Sequence, residues 1–291
     1  MASLRPYTIV LSIMLLAACA GSEPADQAAE SAGEAPAESR VAIAPTGAGQ
    51  LPPAIMGEGG ELQGQDLRYV TGDSETVGYL AVPEGAGPFP ALVIIHEWNG
   101  LSDRVRQLAD DFAAEGYVTL AADLYRGRTG STGDENVALM QETTADMPTV
   151  IANLNAATAL LKARTDVSGQ VGAMGWCFGG GIALSFGLDG DAHDATAMFY
   201  GAMIQDPEVL ADMDHEVYGT FGALDEGLPP EQVATFEAAL RSAGVANDIH
   251  VYDAVGHGFW LRVDGEPDVR TAPALDAWER LKAYLDRTLR D

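Results

Sequence analysis

Between residues 91 and 252 the chain repeatedly spells short, unbroken apolar runs, each separated from the next by a stretch with helical periodicity. The runs are Ala91–His96, Tyr117–Ala122, Val171–Gly175, Ala195–Tyr200 and Val217–Ala223, and Asp248–Tyr252 reads as the last strand. A strand without polar alternation is buried on both faces, which a parallel sheet covered by helices on both sides provides. The intervening helices are predicted at Ser102–Glu115, Asn136–Arg164 (broken or bent near Pro148), Gly179–Gly187, Pro207–Met213 and Pro230–Ala243, with Ala272–Leu289 closing the chain. Ser102 reads as an N-cap, and Val105, Leu108, Phe112 and Ala113 form the buried stripe of the first helix. Ahead of them, Leu67–Val70 and Thr76–Val82 alternate like a hairpin turned by Gly72-Asp73. This alternation predicts a single α/β domain with a mostly parallel, doubly wound sheet and helices on both faces.

The first sixty residues have a different character. Residues 1–18 carry one Arg, a short apolar run and small residues before Cys19, the layout of a secretory signal peptide. Leu16-Ala17-Ala18-Cys19 resembles the bacterial lipobox, in which the Cys is lipidated and becomes the new N-terminus. Residues 19–60 are rich in Ala, Glu, Gly, Pro and Ser, too poor in large apolar side chains to offset chain entropy, and read as a disordered linker. The folded domain is expected over 61–291, hanging in the bacterial cell envelope and facing the periplasm or the exterior.

Charge narrows the partners. With 43 acidic and 16 basic residues, the net charge is −27, and Lys162 and Lys282 are the two lysines. That excludes phosphate-backbone binding to nucleic acid and leaves no polybasic membrane patch, so membrane contact is expected through the lipid alone. Two Cys and five scattered His give no metal-ligand spacing, and neither metal nor cofactor is expected. A monomer is expected.

The chemistry concentrates in Val171–Gly181, where Gly175-Trp-Cys177-Phe-Gly179 has the form of a nucleophile elbow with Cys in the central place. Glycines on either side admit a sharp strand-to-helix turn, and the helix N-terminus favours developing negative charge. On residue type alone, Cys177 is either a nucleophile or an inert buried thiol in a Gly-rich turn. Asp225 and His257 follow later strands in the order that an acyl-transfer triad needs. Asp225 alternatively caps a helix, with Glu226 as a competing carboxylate.

Taken as a set, His96-Glu-Trp-Asn-Gly100, Ala122-Asp-Leu-Tyr125, Gly175-Trp-Cys-Phe-Gly-Gly180, Gly222-Ala-Leu-Asp225 and Gly256-His-Gly-Phe259 resemble the dienelactone hydrolase family, a branch of the α/β-hydrolases, over roughly residues 62–290. The Ala277-Trp-Glu-Arg280 helix is similar too. The resemblance implies Cys177 as nucleophile, His257 as base and Asp225 as its orienting partner. It also implies that Glu97 contacts the resting nucleophile and holds it as a thiol until substrate displaces the carboxylate. The backbone N–H groups of Trp98 and Phe178 would form the oxyanion hole, and Trp176, Trp260 and Tyr125 either line the pocket or pack around the elbow. The family's substrate-carboxylate arginines map onto Arg126 or Arg128 and onto Arg262, each match ambiguous by one position. The implied activity is hydrolysis of small carboxylic esters or lactones through a thioester. The alternatives are a larger ester, amide or thioester substrate, or a catalytically silent envelope lipoprotein used for binding.

Overall fold

The computed structural model describes residues 45–47 and 49–290. Residues 1–18, read above as a signal peptide, Cys19 and the first part of the expected linker lie outside the described residues. One eight-stranded sheet runs in the order β1-β2-β4-β3-β5-β6-β7-β8. Its strands are β1 (Gln65–Leu67), β2 (Gly78–Ala81), β3 (Phe89–Ile95), β4 (Val118–Ala122), β5 (Val167–Trp176), β6 (Ala195–Phe199), β7 (Val217–Gly222) and β8 (Asn247–Tyr252). β2 pairs antiparallel with β1 and β4, and every pairing from β4 through β3 to β8 is parallel. β1 ends at Leu67, earlier than the apolar pattern suggests. The following segment turns on Asp73, which accepts from the Glu75 N–H (2.9 Å) and the Thr76 hydroxyl (2.9 Å).

The helices are α1 (Asp103–Ala114), α2 (Gly133–Thr144), α3 (Met147–Lys162), α4 (Phe178–Asp189), α5 (Pro207–Leu210), α6 (Pro230–Ala243) and α7 (Pro267–Leu289). Period-two geometry sorts the core. Leu92, Ile94, Met174 and Trp176 pack with α1 and α7 on one face, while Ala91, Val93, Ile95 and Ala173 pack with α3 and α4 on the other. The stretch over 136–164 contains the end of one helix and the whole of another. Thr132 caps α2 with Glu135 in a reciprocal capping box, and Asp146 caps α3, so Pro148 opens a helix instead of bending one. Ser102 sits at the N-cap of α1 without a side-chain capping bond.

The domain boundary needs correction. Thr46, Leu51 and Ala54–Met56, assigned to a disordered linker on composition, pack against the domain. Ile55, in a 3-10 turn over Pro53–Met56, is fully buried with Ala54 in the α1/α7 core. Carboxylates of α1 and its C-cap hold the segment through its backbone: Asp111 accepts from Ala54 N–H (2.9 Å), Asp110 from Gln63 N–H (2.9 Å) and Gly64 N–H (3.0 Å), and Glu115 from Thr46. Main-chain donors and one or two apolar side chains do the work here, so composition carried little sign of it. Ile55→Ala is expected to lower unfolding free energy by about 2–5 kcal/mol, the usual range for such a buried truncation. Urea unfolding followed by tryptophan fluorescence measures it.

Candidate active site

β3 pairs with β4 on one side and β5 on the other, and the chain leaves toward β4 before crossing back to β5. Such a reversal opens a crevice beyond the carboxyl ends of the strands, where open α/β sheets bind ligands. The loops after β3, β5, β7 and β8 carry Glu97, Cys177, Asp225 and His257 to that edge.

Cys177 has φ 56°, a left-handed backbone uncommon for a residue with a side chain. Its N–H bonds Phe199 O (3.0 Å), and its carbonyl accepts from Gly180 (3.1 Å) and Gly181 (3.3 Å). Glycine is required on both sides of this turn. A methyl on Gly175 would fall inside the Gly179 carbonyl, and one on Gly179 inside the carbonyl oxygens of Ile95 and His96. The thiol is half-buried at the N-terminus of α4 and is the free cysteine among the described residues.

Asp225 is buried, and its two oxygens have separate tasks. Oδ1 accepts from the N–H groups of Gly227 (3.0 Å) and Leu228 (3.2 Å), which fixes the carboxylate, and Oδ2 meets His257 Nδ1 at 2.7 Å. Glu226 is exposed and α6 begins only at Pro230, so Asp225 does not cap that helix and is the carboxylate in contact with His257. The other imidazole nitrogen, Nε2, is shielded from solvent. Burial pushes the His257 pKa down, but hydrogen bonding to Asp225 and to the neighbouring Cys177, with their negative charges, outweighs it. The net result is a rise to about 10. At neutral pH the imidazole therefore favours its protonated form.

The β3 loop is set by His96, which is fully buried and held neutral by that burial. Its Nε2 accepts from Leu124 N–H (3.2 Å), so Nδ1 carries the proton and donates to Glu97 O (2.6 Å). Glu97 is buried, and its Oε2 pairs with Arg262 at 3.3 Å. Neither Trp98 N–H nor Phe178 N–H is spent on a backbone acceptor among the described residues. Phe178 opens α4, where no intrahelical acceptor exists.

Other expected site residues fall elsewhere. Arg126 pairs with Glu75 (2.7 Å) and Asp73 (3.3 Å), and Arg128 with Glu142 (2.7 Å), so both guanidinium groups are engaged by surface carboxylates. Of the three arginines, Arg262 is the one paired with a site carboxylate. Trp176 and Trp260 are fully buried, stacked at 5.6 Å and 9° beneath the elbow, and Tyr125 is fully buried with its hydroxyl on Trp98 O (3.0 Å). These three support the loops from below; with no exposed surface they do not line an open pocket. Asp123, in the Ala122-Asp-Leu-Tyr125 motif, organises the β4 loop by accepting from Val77 (3.0 Å), Tyr125 (3.0 Å) and Gly127 (2.6 Å) N–H groups. Among the described residues no group of three or more His, Cys, Asp or Glu is arranged to hold a metal ion.

The sequence model of the dienelactone hydrolase family matches residues 76–289. A Methylorubrum extorquens protein provisionally named carboxymethylenebutenolidase is 29% identical over 221 residues, covering 71% of this chain and 75% of its own. A Synechocystis protein with the same provisional name is 29% identical over 233 residues, covering 74% and 93%. A crystal structure from Klebsiella pneumoniae, provisionally titled a dienelactone hydrolase, superposes with TM-score 0.66 at 24% identity, over 76% of this chain and 97% of that one. At that identity the superposition speaks for the fold.

The raised His257 pKa rests on Asp225, which gives a pH test. Asp225→Asn removes the charge that favours imidazolium, so the alkaline limb of kcat/KM should move to lower pH, and kcat should fall by about 10²–10⁴-fold. A pH–rate profile on any turned-over ester reads both.

Proposed function

The chain belongs to the dienelactone hydrolase family, and from that premise we propose that it cleaves small carboxylic esters or lactones with Cys177 as nucleophile. The observation that carries this reading is the His257–Asp225 bond of 2.7 Å beside a cysteine held at the elbow. With the proton of the pair on His257, the Cys177 sulfur attacks the carbonyl carbon as the thiolate. The carbonyl electron pair moves to oxygen, where the Trp98 and Phe178 N–H groups stabilise it. Collapse breaks the ester C–O bond, and the imidazolium gives its proton to the departing alkoxide. His257 then deprotonates a water that attacks the thioester. The second tetrahedral intermediate expels the Cys177 thiolate beside the protonated His257, which restores the starting pair.

Glu97 and Arg262 regulate this nucleophile. A bare carboxylate near Cys177 opposes thiolate formation, and the Arg262 guanidinium offsets it. An anionic substrate would compete with Glu97 for Arg262, because Arg126 and Arg128 are already engaged. The domain is proposed to work in the bacterial cell envelope, delivered by the signal peptide over 1–18 and tethered through a lipid on Cys19. Labelled palmitate entering the wild type but not Cys19→Ala would test the anchor.

Two measurements test the chemistry. On a panel of lactones and activated esters, Cys177→Ala should lose at least about 10³-fold in kcat/KM; full turnover by that variant would end the reading. A panel left uncleaved by the wild type would favour a larger substrate or a binding role. Within the panel, Arg262→Gln should lower kcat on every substrate through a less ionised nucleophile and raise KM for carboxylate-bearing substrates alone, whereas Arg126→Gln and Arg128→Gln should leave all substrates within about twofold, as expected for exposed ion pairs.

A further inference from the structure

Tyr200 follows β6 at the carboxyl edge of the sheet and takes part in none of the steps above, yet it touches both β7 and the His257 loop. It is fully buried, and its φ of 38° is a left-handed conformation that bulky residues rarely adopt. Two contacts hold it there: its N–H bonds Thr220 O (2.7 Å), and the next residue, Gly201, lies so close to Gly180 at the start of α4 that a side chain would not fit.

From that position the phenol reaches the His257 loop twice. Its ring meets the His257 ring at 5.0 Å with an interplanar angle of 61°, and its hydroxyl accepts from Leu261 N–H at 3.2 Å. Leu261 directly precedes Arg262, the residue paired with Glu97. The same stretch has two outer anchors, since Leu261 O accepts from Arg104 (3.1 Å) and Arg262 O from Arg270 (2.8 Å). Both anchors grip from the helical side, whereas Tyr200 grips from the catalytic side. Burial raises the phenol's pKa well above its usual value, the charges of Glu97 and Cys177 raise it further and Arg262 lowers it, so the hydroxyl stays protonated among these charged groups.

We propose that Tyr200 is a positioning residue that couples the triad histidine to the Glu97–Arg262 pair, so that the ionisation of Cys177 depends on its hydroxyl. The proposal rests on the Cys177–His257 reading above and deepens it. Without the hydroxyl, a buried Leu261 N–H loses its acceptor, and the chain must shift to find another. Arg262 moves with it and leaves Glu97 less neutralised, which disfavours the Cys177 thiolate.

The test is the pH profile of Cys177 alkylation by iodoacetamide in the full chain, read at that residue by peptide mass spectrometry. Tyr200→Phe keeps the ring and removes only the hydroxyl. It should slow alkylation near neutral pH by roughly three- to tenfold, the scale of one hydrogen bond's net contribution. Arg262→Gln should slow it similarly, and the double variant should fall no further than the slower single. A wild-type profile in Tyr200→Phe, whatever its melting temperature, would overturn the proposal. So would fully additive effects in the double variant, which would place the two residues on independent routes. Alkylation needs no ester turnover, so failure here leaves the hydrolysis reading intact, and a silent ester panel leaves this test intact.

Discussion

The site depends on one close backbone contact, between the turn that leaves β5 and the carboxyl end of β3. Gly175 and Gly179 let the first turn of α4 lie against the carbonyl oxygens of Ile95 and His96, nearer than any side chain would permit. That contact forces the left-handed backbone of Cys177, aligns the sulfur with the N-terminus of α4, and brings the Phe178 amide toward the loop bearing Trp98. The strain of such a conformation, of order 1–3 kcal/mol, persists because the parallel pairing of β5 with β3 and β6 holds both ends of the turn.

Around that contact the polar groups form two linked sets. Asp225 and His257 are locked by the β7 and β8 loops, with Gly227 and Leu228 amides fixing one carboxylate oxygen and the imidazole taking the other. His96 performs the matching service for the β3 loop, bridging Leu124 and Glu97 with a tautomer set by its two bonds. Because both loops are pinned by buried, directional bonds, the reacting groups need little reorganisation when charge develops.

The strongly patterned parts of this arrangement were legible in the sequence. Unbroken apolar runs announced the parallel sheet, and glycines flanking Cys177 announced the elbow, since both are local consequences of burial and sterics. The chain order of Cys177, Asp225 and His257 was legible because each follows a strand and each loop opens at the same edge. What escaped depends on distant partners. Arg126 and Arg128 read as candidate carboxylate binders until Asp73, Glu75 and Glu142 are seen to engage them. Residues 45–60 read as linker because their attachment uses backbone N–H groups and Ile55, not a hydrophobic pattern. Trp176 and Tyr125 carried the signature of pocket aromatics, and only packing reveals that they lie beneath the loops they support. Tyr200 has no local motif at all; its position follows from β6 lying between β5 and β7.

The elbow also separates architecture from reactivity. The left-handed turn is enforced by hydrogen, the absent side chain of Gly175 and Gly179, and by carbonyl groups of neighbouring strands; the sulfur of Cys177 contributes nothing to it. A different small nucleophilic atom would therefore meet the same socket, the same amides and the same imidazole. In such a fold the choice between sulfur and oxygen is open to selection without rebuilding the frame, while the two glycines are not. The proposed chemistry is interchangeable at one atom, and the geometry is fixed at two places where there is no side chain.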